Sequence, residues 1–398
     1  VIGYGKLSLQ IFAAGIFYGK EGRKMTDRDY MSRAIALARK GEGRTNPNPI
    51  VGAVIVKNGR IIGKGYHAEY GGLHAERKAI ASLTEPADGA DMYVTLEPCA
   101  HYGKTPPCTE AILANGIARV VIGSRDPNPL VSGRGAKILR EAGVAVEEDF
   151  MKEECDRLNG VFFHYITEGT PYAVMKYAMT ADGRIATKTG ASKWITGDAA
   201  RQEVQRMRGR YTGIMAGIGT VLADDPLLNV RIEGLRNPVR IICDSRLRIP
   251  LASKICRTAG TYRTIIAHAA DGNADITAGK MRQLADCGAE LIKVPGKDGK
   301  VDLRELMKIL GGRGIDSVLI EGGGTLNAAA LEAGIVQEIK AFVAPKIFGG
   351  AGSRSPVEGE GVARPQDAVC LRIDGTEMFD GDLLISMQVR RKENCSQE

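Results

Sequence analysis

The sequence predicts two α/β domains, each a three-layer arrangement with a sheet between helices. Length sets the count, since 398 residues at roughly 150 per domain make two or three units. Composition sets the class: 44% hydrophobic and 25% charged residues are those of ordinary globular chains. Pattern sets the boundary, because strand-like and helix-like runs stop near Glu168 and start again after Pro171. The reading is one domain over residues 25–168, a second over residues 170–390, and an extension, Val1–Lys24, outside both.

Thr26 can cap a helix over Asp27–Lys40, with Asp29 in its first turn and Gly41 as its stop. Tyr30, Ala34, Leu37 and Ala38 form its apolar stripe. The loop TNPNP leads to the strand VGAVIV, which turns at Lys57-Asn58-Gly59 into RIIGKGYH, a hairpin signal. HAERKAIASL reads as a helix, MYVTLEP as a strand, CTEAILANG as a helix and RVVIGS as a strand. The helix GAKILREAG and the run VAVEED end this unit, and a hairpin followed by βαβα implies a layered mixed sheet. In the second half, strands are expected at YAVMKYAM, GIMAGI, VRIICD, RTIIAHA, AELIKV, SVLIEG, IKAFVAP and DLLISM. Helical periods lie between several of them; Ala200, Val204, Met207 and Tyr211 share one face.

Charge and aromatic content narrow the function. The net charge is +7, of which the first 24 residues carry +3 through Lys6, Lys20, Arg23 and Lys24 against Glu21. Eight Phe, twelve Tyr and one Trp supply a base-stacking platform poorly, so nucleic acid is not an expected partner. Small anionic ligands suit this balance better. The short apolar run Leu7–Phe17 has no convincing cleavage site after it. No stretch approaches ~20 uninterrupted apolar residues, so no membrane partner is expected either. Cys155, Cys243, Cys256, Cys287, Cys370 and Cys395 are scattered and read as small hydrophobes in a reducing, cytoplasmic setting.

Cys99 and Cys108 differ, because they flank a Gly/Pro-rich loop and follow His74-Ala75-Glu76. One neutral imidazole and two thiolates suit tetrahedral zinc with its fourth position left to water. A carboxylate must then move a proton from that water to a leaving amine, and Glu76 stands two residues from His74. Residues two apart diverge inside a helix, since each turns about 100°. Convergence therefore needs a strand–helix junction, which GGLHAE offers. A structural zinc site with His101 as fourth ligand is the competing reading, and unrelated buried thiols are another.

His-x-Glu with Pro98-Cys99 matches the zinc nucleobase and nucleotide deaminase signature, except that eight residues separate the cysteines where two are usual. With that insertion, PCAHYGKTPPC, TNPNPIVGAVIV and HAE resemble the deaminase half of the bifunctional riboflavin-biosynthesis deaminase/reductases. The resemblance runs from Met25 to about Arg390. It implies a cytidine-deaminase-like domain that removes the 2-amino group of 2,5-diamino-6-(5-phosphoribosylamino)pyrimidin-4(3H)-one by hydrolysis. It also implies one zinc per chain on His74, Cys99 and Cys108, with Glu76 as proton donor and acceptor. Asn48, His67 and Lys104 match positions around the pyrimidine and phosphate, as do Asp126 and Asn128. Taken alone, Asn48 could be a turn residue, His67 a hydrogen-bonded surface histidine and Lys104 a solvated side chain.

IEGGGTLNAAALEAG reads as strand, glycine turn and helix start, where backbone N–H groups can meet phosphate. GIGTVLA imitates a G-x-G-x-x-G fingerprint but lacks the third glycine. Either segment could instead be a tight turn that needs glycine for positive φ. YAMTADGRIA, SKWITG, TVLADDPLLNVR and LIEGGGTLNAAAL resemble the reductase half of the same family, whose fold is similar to dihydrofolate reductase. This implies hydride transfer from NADPH to the ribosylamino sugar. Ala178, Trp194, Thr220, Asp224 and Ser245 would contact the dinucleotide, with Gly323, Gly324, Thr325, Leu326, Asn327, Ala328 and Ala329 under its pyrophosphate. Ser192, Arg208, Leu228, Arg231 and Glu321 would contact substrate, and a guanidinium fork suits its phosphate. Trp194 could equally be core, and either arginine a solvated charge.

The expected partners are phosphorylated pyrimidines and further copies of the same chain. A zinc nucleobase or nucleic-acid deaminase with an accessory nucleotide-binding domain is the alternative. It calls for a short C-x-x-C, a stronger basic patch and more aromatic residues, none of which appears. A non-catalytic zinc module would have no need of Glu76.

Overall fold

Helix α1 (Asp27–Ala38) starts on a capping box, in which Thr26 Oγ1 accepts from the Asp29 N–H and the Asp29 carboxylate accepts from the Thr26 N–H. It stops at Ala38, and a single 3₁₀ turn carries the chain to Gly41. The computed structural model describes residues 25–102, 106–128, 131–269, 274–296 and 299–390; Val1–Lys24 and Lys104 lie outside the described residues. Strands β1 (Gly52–Lys57) and β2 (Arg60–Tyr66) form the expected hairpin, with Asn58 and Gly59 both at positive φ as its two-residue turn demands.

Then follow α2 (Ala75–Ala81), β3 (Asp91–Leu96), α3 (Cys108–Ala114), β4 (Arg119–Ser124), α4 (Arg134–Glu141) and β5 (Ala145–Glu147). The five strands lie in the order β2-β1-β3-β4-β5, antiparallel on the hairpin side of β3 and parallel beyond it. Alternation along each strand splits the core in two. Ala53, Ile55, Met92, Val94, Val120 and Ile122 face α2, α3 and α4, while Val54, Val56, Tyr93 and Val121 face α1. Three layers result, as predicted.

Two helices come without warning, α5 (Lys152–Leu158) and α6 (Gly160–Glu168). Neither shows a stripe against one core. α5 buries only Cys155, and α6 has no fully buried residue because its apolar positions are divided between two domains.

The second domain runs β6 (Tyr172–Thr180), α7 (Asp198–Arg210), β7 (Gly213–Gly217), α8 (Ile218–Asp224), β8 (Val239–Cys243), α9 (Lys254–Arg257) and β9 (Thr264–His268). It continues with α10 (Ala274–Asp286), β10 (Glu290–Lys293), α11 (Leu303–Gly312), β11 (Ser317–Ile320), α12 (Gly324–Glu332), β12 (Val336–Ala344), β13 (Leu371–Phe379) and β14 (Asp382–Val389). All eight expected runs are strands, in a nine-stranded sheet ordered β10-β9-β8-β7-β11-β6-β12-β14-β13. Met215, Ile241 and Ile265 pack on one side with α11, and Ile214, Ile242 and Ile266 on the other with Leu284 of α10. The ninth strand, β13, escapes the sequence reading because nearly all of it is exposed at the sheet edge, with an irregularity between Ile373 and Gly375.

The parallel strands matter for function, because ligands of α/β sheets gather beyond their carboxyl ends. There β3 and β4 lead to Cys99 and Asp126, and β6, β11, β7 and β8 reach or lead to Ala178, Glu321, Gly217 and Ser245. The domains meet through Asn46 Nδ2, which donates to the Asp316 carboxylate at 2.6 Å, and through an Arg210–Glu42 ion pair at 2.9 Å. Among the described residues no helix is long and apolar enough to cross a membrane.

Where β1 passes beneath α1, a Cβ on Gly52 would overlap the Ala34 carbonyl oxygen and stand 2.7 Å from the Ala38 nitrogen. Overpacking of this kind costs about 1–3 kcal/mol. Gly52→Ala should therefore lower the first domain's unfolding free energy by an amount in that range, read as a lower urea midpoint at unchanged m. An unchanged midpoint would contradict the close approach of helix and strand.

Candidate active sites

His74 is the N-cap of α2, still in extended backbone at φ −67° and ψ 161°, and Glu76 lies in the first helical turn. This is the junction that brings residues two apart to one cavity. Cys108 opens α3, and its N–H donates to Cys99 Sγ at 3.4 Å. His74 Nδ1 stands 3.4 Å from Sγ of both cysteines. The three donor atoms lie within 4.8 Å of one another, the one such cluster found among the described residues.

Their electrostatics suit a dication. A hydrogen bond from the Cys108 thiol holds the Cys99 thiol well below its ordinary range, and the same thiol–thiol bond with burial pushes Cys108 up. One proton shared between two thiols beside an imidazole is what a borderline-soft metal displaces on binding. His101 lines the cavity but is not one of the cluster, so the structural reading with four protein ligands has no fourth ligand among the described residues. Glu76 is buried; desolvation and then the charge of Cys99 raise its carboxyl to about 7, against the pull of His74.

The surrounding cavity has a volume of about 340 Å³ and brings Asn48, His67, Asp126 and Asn128 together with His74, Glu76 and Cys99. His67 is buried, not a surface residue, and burial lowers its pKa. Its Nδ1–H donates to Leu73 O at 3.1 Å, which leaves Nε2 to accept from Asn48 Nδ2 at 3.3 Å. Glu97 was not anticipated. It accepts from the N–H groups of Asp126, Gly133, Gly135 and Ala136 at 3.0–3.4 Å, tying the Asp126 loop to the start of α4. Its only signal in the sequence is its place beside Pro98-Cys99.

In the second domain a cleft of about 320 Å³ gathers Ala178, Ser192, Thr220, Asp224, Glu321, Gly323, Gly324, Thr325 and Leu326. The rest of the expected dinucleotide stretch does not face it: Asn327 and Ala328 are buried and Ala329 packs on the core. Helical rotation is the reason, since only the first turn of α12 opens on the cleft. Gly323, the N-cap, has φ −78°, so the positive-φ reading fails there. A Cβ on it would meet only Thr220 Oγ1 at 3.9 Å, whereas one on Gly324 would stand 2.6 Å from Ser355 O. A side chain at 323 would thus project into cleft space where a pyrophosphate could lie against the α12 N-terminus.

The other expected residues differ in their surroundings. Trp194 is 62% exposed with the Arg201 guanidinium 4.6 Å over its ring, so it is not core, and it lies outside the residues lining the cleft. Leu228 is buried among core residues, leaving its backbone as the part able to touch a ligand. Ser245 Oγ is engaged by the Val301 N–H at 3.1 Å. The Arg208 fork is engaged too: Nε and Nη2 donate to the Glu321 carboxylate at 2.6 and 3.0 Å, and Nη1 donates to Asn229 O at 3.1 Å. Arg231 keeps an exposed side chain. Lys176, which sequence reasoning missed, donates to Glu321 at 3.3 Å; its signal was one charge inside an apolar central strand. Burial would raise the Glu321 carboxyl, but Arg208 and Lys176 overcome it and hold it at about 2.

A zinc deaminase joined to a nicotinamide-dependent reductase is the class of protein that this fold and these two sites define. Residues 24–124 match the cytidine and deoxycytidylate deaminase zinc-binding region, and residues 171–385 match the RibD C-terminal domain. The chain belongs to the RibD family of riboflavin biosynthesis proteins. It is 52% identical to the riboflavin biosynthesis protein RibD of Actinobacillus pleuropneumoniae, over 92% of this chain and 96% of that one. Against that of Bacillus amyloliquefaciens the identity is 41%, over 90% and 95% of the two chains. The solved structure of Acinetobacter baumannii RibD matches with a TM-score of 0.80 at 37% identity, over 92% of this chain and 99% of that one. That of a diaminohydroxyphosphoribosylaminopyrimidine deaminase/5-amino-6-(5-phosphoribosylamino)uracil reductase from Thermotoga maritima gives 0.77 at 38%, over 91% and 98%. The chain is accordingly a bifunctional enzyme of riboflavin biosynthesis, deaminase and reductase, that uses zinc and a nicotinamide cofactor.

The Glu321 cluster yields a pH signature. Its carboxyl falls from an ordinary 4.5 to about 2 on folding, so its stabilisation is complete above pH 4.5 and is lost as pH falls through 2. Glu321→Gln leaves two buried cations without their carboxylate, at a cost of about 3–5 kcal/mol near neutrality. Urea unfolding at pH 7 and pH 3 should show the gap between wild type and variant shrinking in acid. A gap that stays constant would place the charge elsewhere.

Proposed function

We propose that the first domain, residues 25–168, removes the 2-amino group of 2,5-diamino-6-(5-phosphoribosylamino)pyrimidin-4(3H)-one. The second, residues 170–390, then reduces the ribosyl group of the product with NADPH to give 5-amino-6-(5-phosphoribitylamino)uracil. The observation that carries the reading is the His74–Cys99–Cys108 cluster sharing one cavity with a buried Glu76. The relatives support it, since the Thermotoga maritima protein is named for both reactions.

His74, Cys99 and Cys108 hold one zinc per chain. Zinc bound there supplies the Lewis acidity that makes water a nucleophile near neutral pH. Glu76 takes the proton of the attacking water and hands it to the amino group, so that a C–O bond forms, the C–N bond breaks and ammonia leaves. Asn48, His67, Asp126 and Asn128 orient the pyrimidine, and Lys104 meets the phosphate.

In the second domain NADPH, when bound, supplies the hydride. Gly323–Leu326 receive its pyrophosphate at the α12 N-terminus, and Ala178, Thr220 and Asp224, which line the same cleft, hold the rest. Ser192, Leu228, Arg208 and Glu321 surround the sugar. Arg231, with its exposed guanidinium, is better placed than the engaged Arg208 to take the phosphate. The enzyme works in the cytoplasm as a homo-oligomer, for which the exposed backbone edge of β13 offers a pairing surface.

The test is ammonia release from the diaminopyrimidine nucleotide with and without NADPH. Ammonia should appear in both cases, and NADPH should be consumed only as deaminated product accumulates. Glu76→Gln should keep its zinc while deamination falls about 10²–10⁴-fold. Undiminished ammonia release from a zinc-loaded Glu76→Gln would remove Glu76 as the proton carrier.

A further inference from the structure

Helix α6 stands between the domains, and two of its faces do different work. Val161 packs with Tyr172, Val174 and Phe342 of the second domain's core. One turn on, Tyr165 Oη donates to Gly311 O in α11 at 3.0 Å. Phe162 and Ile166 form the adjoining row, about 100° round the helix. These two line the 340 Å³ cavity that also holds His74, Glu76 and Cys99. Both are half-buried, so each keeps apolar surface open toward the cavity.

The cavity's polar groups, Asn48, His67, Asp126 and Asn128, suit the hydrogen-bonding edge of a heterocycle. A planar ring also has two apolar faces, which bind best against aromatic or aliphatic side chains. We infer that Phe162 and Ile166 are specificity-determining residues of the deaminase, forming a wall on which the pyrimidine ring packs, and that Tyr165 is a positioning residue through which the reductase domain holds this wall. The inference rests on the deaminase reading of the cavity. Its consequence is that the deaminase site is complete only when the second domain is docked.

Full-length variants test it, with kcat and KM measured separately for ammonia release and for reduction of the deaminated nucleotide. Phe162→Ala should raise the deaminase KM about tenfold with kcat nearly unchanged, as loss of a contact made equally in ground and transition states requires. Phe162→Leu should recover most of that loss, and Ile166→Val, too mild to threaten folding, should raise KM by a smaller factor. Tyr165→Phe deletes one hydroxyl that touches no part of the cavity. It should raise the deaminase KM about fivefold, the scale of one hydrogen bond, with zinc content and reductase KM unchanged. Wild-type KM in Phe162→Ala or Ile166→Val would overturn the wall. A lower melting temperature in Tyr165→Phe with KM unmoved would reduce that residue to structural support and overturn the coupling. A zinc-loaded wild type that released no ammonia would overturn the deaminase reading itself, and the wall with it.

Discussion

His74 and Glu76 can share a cavity because α2 begins between them, after the last extended residue and before the first full turn. The same kind of junction recurs at α3, where Cys108 opens a helix and points its N–H back at Cys99. It recurs again at β11 and α12, where Glu321 directly follows a strand and Gly323 caps a helix. In each case a strand end or loop supplies one functional group and a helix N-terminus supplies the next. The strands that lead to these junctions run in one direction within each sheet, so groups distant in sequence converge at one edge of it.

Two buried carboxylates show how surroundings separate the roles of like residues. Glu76 sits beside the Cys99 sulfur, and burial with the charge of Cys99 lifts it to about 7 against the pull of His74. Glu321 is mostly enclosed, with 9% of its side chain exposed, yet Arg208 and Lys176 hold it ionised at about 2. The first can exchange a proton near neutrality. The second is a fixed negative charge that pins two cations at the edge of the reductase cleft.

Much of the fold was legible because most strands bury at least one face and most helices face one core. The eight apolar runs of the second domain and the hairpin at Asn58-Gly59 are examples. β13 was not, since an exposed edge strand has no buried face to print a pattern. α6 was not, since its apolar residues serve two domains and a cavity, which blurs any single stripe. In the sites, His74, Glu76, Cys99 and Cys108 were legible from ligand chemistry and spacing. Glu97 and Lys176 were hidden because their partners lie 29–39 and 145 residues away, where spacing says nothing. The inward turn of Asn327–Ala329 was hidden too, because a run of small residues gives no phase for the helix.

The central claim is that one chain carries two chemistries whose sites do not share a metal. Zinc can be stripped from the full-length enzyme by a chelator, and each half-reaction then followed with its own substrate. Ammonia release from the diaminopyrimidine nucleotide should vanish and return when zinc is restored, while NADPH oxidation with the already deaminated nucleotide continues at its original rate. Loss of NADPH oxidation on chelation, with the fold intact by circular dichroism, would contradict the account.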